Sequence, residues 1–134
     1  MTDAVAIVAA IIRDARGHLL LVRKRRTVSF MQPGGKREAG EDDLAALARE
    51  LEEELGCGIV AGSAVSLGRF KAPAANEAGR EVIADVWSVA IDGAPAASAE
   101  IAEMIWLDTN APGDTVLAPL TRDHVLPLVR RRAA

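Results

Sequence analysis

Three glutamates, Glu50, Glu53 and Glu54, fall within five positions, with Arg49 directly before the first of them. Carboxylates are hard oxygen donors of the kind that Mg²⁺, Mn²⁺ and Ca²⁺ prefer. Mg²⁺ takes few protein carboxylates and completes its octahedron with waters and substrate phosphates. The upstream pair Gly34-Gly35 and the nearby arginines therefore point to metal-assisted phosphate chemistry, in which an ion neutralises phosphate oxygens and activates a water. Arg49 lies four residues before Glu53, so it can pair along a helix and hold a ligand in place. A Glu-Glu pair taken alone is better explained as a solvated acidic face.

The elements that must position these groups follow from the periodicity. At about 100° per residue, Leu44, Leu47, Ala48, Leu51 and Leu55 share a sector roughly 100° wide, which predicts an amphipathic helix with those residues inward. The three glutamates crowd an adjoining flank, where like charges at i,i+3 and i,i+4 cost a few tenths of a kcal/mol per pair. Asp42 or Asp43 caps this helix and Gly56 or Gly58 stops it. Ahead of it, Phe30-Met-Gln-Pro33 is extended, because Pro33 fixes its own φ and keeps Gln32 out of the α region. Gly34-Gly35 then permits approaches that a side chain would forbid.

Residues 4–12 form an apolar, β-branched run expected to be a strand buried on both faces. Asp14–Gly17 is turn chemistry, and His18–Lys24 reads as the antiparallel return strand, ending in the basic run Arg23–Arg26. Downstream, 65–71 and 81–91 are strands separated by a loop over 72–79. A last strand spans 103–107, with Trp106 in the core. A terminal amphipathic helix starts at Thr121 with Val125, Leu128 and Val129 inward, and Pro127 forces a kink or a shorter helix. Strands, helix, strands, helix suggests an α/β fold with a mixed sheet between helices.

Composition narrows the function classes. The 134 residues, half of them hydrophobic, suit one domain over 1–134. A net charge of −3 argues against a nucleic-acid or membrane partner, and two Trp, two Phe and no Tyr argue against a base-stacking single-strand binder. A single cysteine, Cys57, excludes an intramolecular disulfide and a thiolate cluster. No apolar run is long enough to span a bilayer and the start lacks a basic signal region, so a cytoplasmic location is expected.

The whole pattern decides between the readings. Gly35, Glu41, Arg49, Glu50, Leu51, Glu53, Glu54 and Gly56 occupy every required place of the signature that the sequence resembles, that of the Nudix hydrolase family. The one departure is Cys57, where the family prefers an aliphatic residue, and a buried Cys behaves as a small hydrophobe. Seven fixed residues at roughly 7% frequency each give a chance match on the order of 10⁻⁸ per starting position. The resemblance implies the family's α/β/α sandwich and hydrolysis of a diphosphate linkage.

It also implies roles. Glu50, Glu53 and Glu54 match Mg²⁺-binding glutamates, with Mn²⁺ a possible substitute, and the carbonyl of Gly34 matches a backbone ligand. Glu41 and Arg49 match bracing positions, and Gly35 lies where substrate approaches. A further acid comes from downstream, Glu103 first and Glu100 second, and Arg23 resembles a phosphate-contacting arginine. The substrate implied is a small nucleotide, foremost a nucleoside triphosphate, oxidised or not, released as monophosphate and pyrophosphate. Pro73 suggests ADP-ribose or a nucleotide sugar as the alternative, and absence of Tyr counts against diadenosine polyphosphates. A non-catalytic nucleotide-binding module on the same fold is the second alternative, and a homodimer is a family-level expectation.

Overall fold

The computed structural model describes residues 3–132. The strands are β1 (Asp3–Ile11), β2 (Leu19–Lys24), β3 (Gly34–Gly35), β4 (Gly58–Ile59), β5 (Val65–Pro73), β6 (Arg80–Ser88), β7 (Ile91–Asp92) and β8 (Ile101–Leu107). Helix α1 (Asp43–Leu55) follows β3, and a π-helical turn, Thr121–Val125, runs directly into α2 (Leu126–Arg132). The main sheet has the order β3-β1-β6-β5. It is mixed: β1 and β6 run parallel from Asp3↔Arg80 to Ile11↔Ser88, while β3 and β5 pair antiparallel with their neighbours. A parallel neighbour needs a long crossover, and the chain uses it to carry α1 across one face of the sheet.

Alternation along β1 divides the core. Val8, Ala10 and Ile12 join Leu47, Leu51 and Leu55 of α1 in one cluster. Ala9 and Ile11, on the other face, join Val125, Leu126 and Val129 of the C-terminal helix in a second. This is the α/β/α sandwich. Burying each of the three α1 leucines contributes about 1.5–3 kcal/mol. Asp42 caps α1 by accepting the Ala45 N–H at 2.8 Å, and Gly56, at φ 68°, ends it in the left-handed conformation.

Several expectations are corrected. Beyond Leu19 and Leu20, which meet Arg13 and Ile12 across the turn, β2 does not return along β1. Both edges of β1 are taken by β3 and β6, so β2 pairs with β8 instead, from Leu19↔Leu107 to Arg23↔Glu103. The strand expected over 81–91 ends at Ser88, and β7 peels away to pair with β4. β1 is buried on both faces only from Val8 on; Ala4 and Ala6 are exposed. Leu44 is exposed, and Ala46 takes its place in the α1 core. Trp106 is partly buried against the α1-side core.

Pro127 has no N–H to donate and its ring crowds the preceding turn. The chain answers with the wider π turn, in which the Leu126 N–H bonds Thr121 O. The extra residue shifts the inward face, so Leu126 is buried with Val125 and Val129 while Leu128 is only half-buried. No helix among the described residues is long and apolar enough to cross a membrane.

Candidate active site

Glu50 and Glu54 are one turn apart on α1, and both face β3. The Gly34 N–H donates to Glu54 Oε1 at 3.2 Å. Gly35 sits so close to Glu50 that an added Cβ would lie 2.6 Å from its carboxyl carbon. Gly34 is equally constrained from the other side: its φ is 145°, and a Cβ would meet the Val8 carbonyl oxygen at 2.1 Å. The glycine pair lets β3 pass between β1 and the two carboxylates.

Arg49 braces the site from outside. Its Nε and Nη2 donate to the two oxygens of Glu41 at 2.8 and 2.9 Å, Nη1 donates to Glu50 at 2.9 Å, and Nη2 also reaches the Lys36 carbonyl at 2.9 Å. The arginine holds the Glu41 carboxyl down to about 2, with help from the Glu38 N–H. Glu53 stands apart from its neighbours. Its side chain is 53% exposed, against 14% for Glu50, and Arg49 approaches it at 3.6 Å.

Glu54 is only 3% exposed. Burial pushes its carboxyl up to about 8, the Gly34 N–H opposes this, and the charges of Glu50 and Glu100 push it further. A buried carboxylate next to others is stable only with a proton or a cation beside it. All of these donors are hard oxygens, so the chemistry fits Mg²⁺ or Mn²⁺. Among the described residues no three acidic, His or Cys side chains already converge as an ion-enclosing group. Glu50 and Glu54 line one cleft, and Glu53 stands at the surface beside it.

These carboxylates open into a cleft of about 320 Å³. Its lining also includes the charged Lys24, Lys36 and Glu100, the apolar Val5, Ile7, Met31 and Val82, and the segment 74–77. A smaller apolar annex of about 70 Å³ continues past Ile7 and Val82 to Pro73 and Leu120. The arrangement suits a molecule with a charged phosphate end and a flat apolar end.

Arg23 and Glu103 stand outside this cleft. They face each other across β2 and β8, with Arg23 Nη2 3.1 Å from Glu103 Oε1 and Nη1 donating to the Thr27 carbonyl at 2.8 Å. The next residue along β2, Lys24, takes the cleft side and lies 3.8 Å from Glu100. Lys24 lies two positions after Val22 and shares its cleft-lining side of β2, while the register shift, which sets Ile101 opposite Lys24, takes its extra residue from β8. From the sequence, Glu100 ranks second, Lys24 enters only as one of the basic run Arg23–Arg26, and Lys36 is missed. The strand alternation after Val22 was the available signal for Lys24.

The chain belongs to the NUDIX domain family, whose profile matches residues 3–129. Over 71 residues it is 42% identical to the 8-oxo-dGTP diphosphatase of Haemophilus influenzae, covering 50% of this chain and 51% of that protein. The match thus spans about half the length of that curated relative. Among solved structures, the MutT protein of Methanosarcina mazei Go1 superposes with a TM-score of 0.76 at 25% identity, covering 98% of this chain and 96% of that one. The E. coli ORF135 protein gives 0.69 at 26% identity, covering 98% and 90%.

Proposed function

We propose that this protein is a Mg²⁺-dependent pyrophosphohydrolase that cleaves a nucleoside triphosphate, oxidised forms included, to the monophosphate and pyrophosphate. The observation that carries this reading is the Glu50–Glu54 pair against Gly34 and Gly35, in a cleft lined also by Lys24, Lys36 and aliphatic side chains. The named activity of the Haemophilus influenzae relative supports the choice of substrate. On this reading the protein works on free nucleotides in the cytoplasm.

Glu50, Glu53 and Glu54, with the carbonyl of Gly34, would hold the ion. When bound, it supplies charge neutralisation at the phosphates and a water of lowered pKa. The chain's own groups do the rest. Arg49 keeps Glu50 in place and releases Glu53 to turn inward. Lys24 and Lys36 offer point charges to phosphate oxygens at the cleft mouth. For Lys24, phosphate competes with Glu100, 3.8 Å away, so binding exchanges one carboxylate partner for a phosphate. The aliphatic wall holds the base and excludes water from it.

A screen for phosphate and pyrophosphate release tests this. It covers nucleoside triphosphates, oxidised triphosphates, ADP-ribose and nucleotide sugars with Mg²⁺ or Mn²⁺, comparing wild type with Glu53→Gln. Turnover confined to triphosphates and lost in the variant is expected. Absence of turnover by wild type, or equal turnover by the variant, refutes the assignment.

A further inference from the structure

The loop between Gly35 and α1 is tied down twice. The inner tie is Arg49 on Glu41 and on the Lys36 carbonyl. The outer tie involves residues without a role so far. Arg37 Nε donates to Asp43 Oδ1 at 2.8 Å, and Arg37 Nη2 pairs with Asp85 Oδ2 on β6. Asp85 also accepts from Arg69 Nε at 2.8 Å and Nη2 at 3.2 Å, and the Trp87 indole N–H donates to Asp43 Oδ2 at 3.0 Å. Arg37 thus bridges the loop to the start of α1 and to the middle of the sheet, 48 residues away in sequence.

Arg37 and Asp85 are 25% and 18% exposed, too shielded for a plain surface pair. Both aspartates hold Arg37 as a cation, and Arg69 and Arg37 together hold Asp85 well below the usual carboxylate range. The link stays ionic wherever the protein is folded near neutral pH. Its other end is the site: Lys36, the next residue back, lines the cleft, and one further back Gly35 touches Glu50. β3 pairing with β1 holds Gly35 at one end of the loop, and without Arg37 the stretch beyond it, Lys36 included, is left to the Arg49 tie and the local Glu38–Glu41 contacts, about which it could pivot.

We infer that Arg37 is a positioning residue: through Asp85 and Asp43 it fixes the loop that places Lys36 over the carboxylates, and so sets how tightly the phosphate end of the substrate is held. The inference rests on the proposed reading of the cleft, and its test separates the two.

Arg37→Met, which keeps the aliphatic stem, Asp85→Asn and the double variant are compared with wild type and with Arg37→Lys. Each single change is expected to raise KM about fivefold with kcat within about twofold, and the double no further, because both cut the same link. Arg37→Lys recovers only part, since one ammonium does not span two carboxylates as a guanidinium does. In the substrate-free protein, amide hydrogen exchange over 34–42 is expected to quicken about tenfold in Arg37→Met, with 121–129 unchanged. Unchanged exchange over 34–42 overturns the inference whether or not the protein is an enzyme. A lower melting temperature with unchanged KM also overturns it, leaving Arg37 a structural strut. A wild type without turnover refutes only the proposed function, and the exchange comparison then decides the role of Arg37.

Discussion

A Cβ at position 35 would fall 2.6 Å from the carboxyl carbon of Glu50, so the glycine there is the space into which that carboxylate fits. The obstacle is the end of a flexible side chain, which can swing aside. Gly35→Ala is therefore expected to fold, losing about 1 kcal/mol of stability, while activity falls roughly a hundredfold because Glu50 is displaced. Gly34→Ala meets backbone instead, the Val8 carbonyl oxygen at 2.1 Å, at a φ of 145°. It should cost about 2–6 kcal/mol, much of a small domain's stability. Thermal melts and turnover of both variants check the contrast; equal melting temperatures remove it.

The second prediction concerns pH. Glu54 titrates near 4.5 in the unfolded chain and at about 8 in the folded one. The folded protein therefore retains a proton that the unfolded chain releases, so the contribution of Glu54 to stability is fullest below pH 4.5 and falls as pH rises towards 8. In EDTA the melting temperature of wild type should drop between pH 5 and pH 8, and Glu54→Gln should flatten that drop. Mg²⁺ at pH 8 should restore wild type, since the cation takes the proton's place. Parallel profiles for the two proteins, without metal, count against this.

Third, Glu53→Gln and Glu54→Gln should each lose about a hundredfold or more in kcat while staying folded. Circular dichroism and steady-state kinetics at saturating metal measure this. Rates equal to wild type take both residues out of the metal site.

Fourth, the two basic residues at the end of β2 should separate. Lys24→Ala should raise KM about tenfold, and Glu100→Gln should change KM or kcat more than Glu103→Gln. Arg23→Ala breaks a half-exposed pair with Glu103, worth about 0–1 kcal/mol, and should leave KM within twofold. A larger kinetic effect from Arg23 than from Lys24 reverses the assignment.

Fifth, the Thr121 hydroxyl donates to Gln32 Oε1 at 3.0 Å, both residues buried, while Gln32 Nε2 donates to the Ala10 carbonyl at 2.9 Å. Thr121→Val keeps the shape but strands the Gln32 oxygen, and should cost about 1–3 kcal/mol in urea unfolding. A midpoint unchanged from wild type contradicts it.

The helix bearing the glutamates and its inward Leu47, Leu51 and Leu55 were legible in the sequence, its caps to within two candidates each, and the bracing roles of Arg49 and Glu41 through the family signature. So were the mixed sheet and the two flanking helices. These depend on contacts at i,i+3 and i,i+4, on strand alternation, and on a motif whose spacing is local. Leu44, the split at Ser88 and the shifted face of α2 were not. Each depends on what a neighbouring element leaves uncovered, or on how a π turn absorbs Pro127.

The sequence by itself singled out the glutamates of α1, Arg49 and the Gly34-Gly35 pair as the candidate site. Only the tertiary structure decided how they are divided: Glu54 buried on Gly34, Glu50 against Gly35, Glu53 at the surface, Arg23 paired with Glu103 outside the cleft and Lys24 within it. Helical periodicity puts the glutamates on one flank. Their burial is set by β3, and Arg23, on the face of β2 away from the cleft, finds its partner Glu103 on β8, 80 residues downstream. Register between distant strands follows from the closing of both cores at once, which no local spacing encodes.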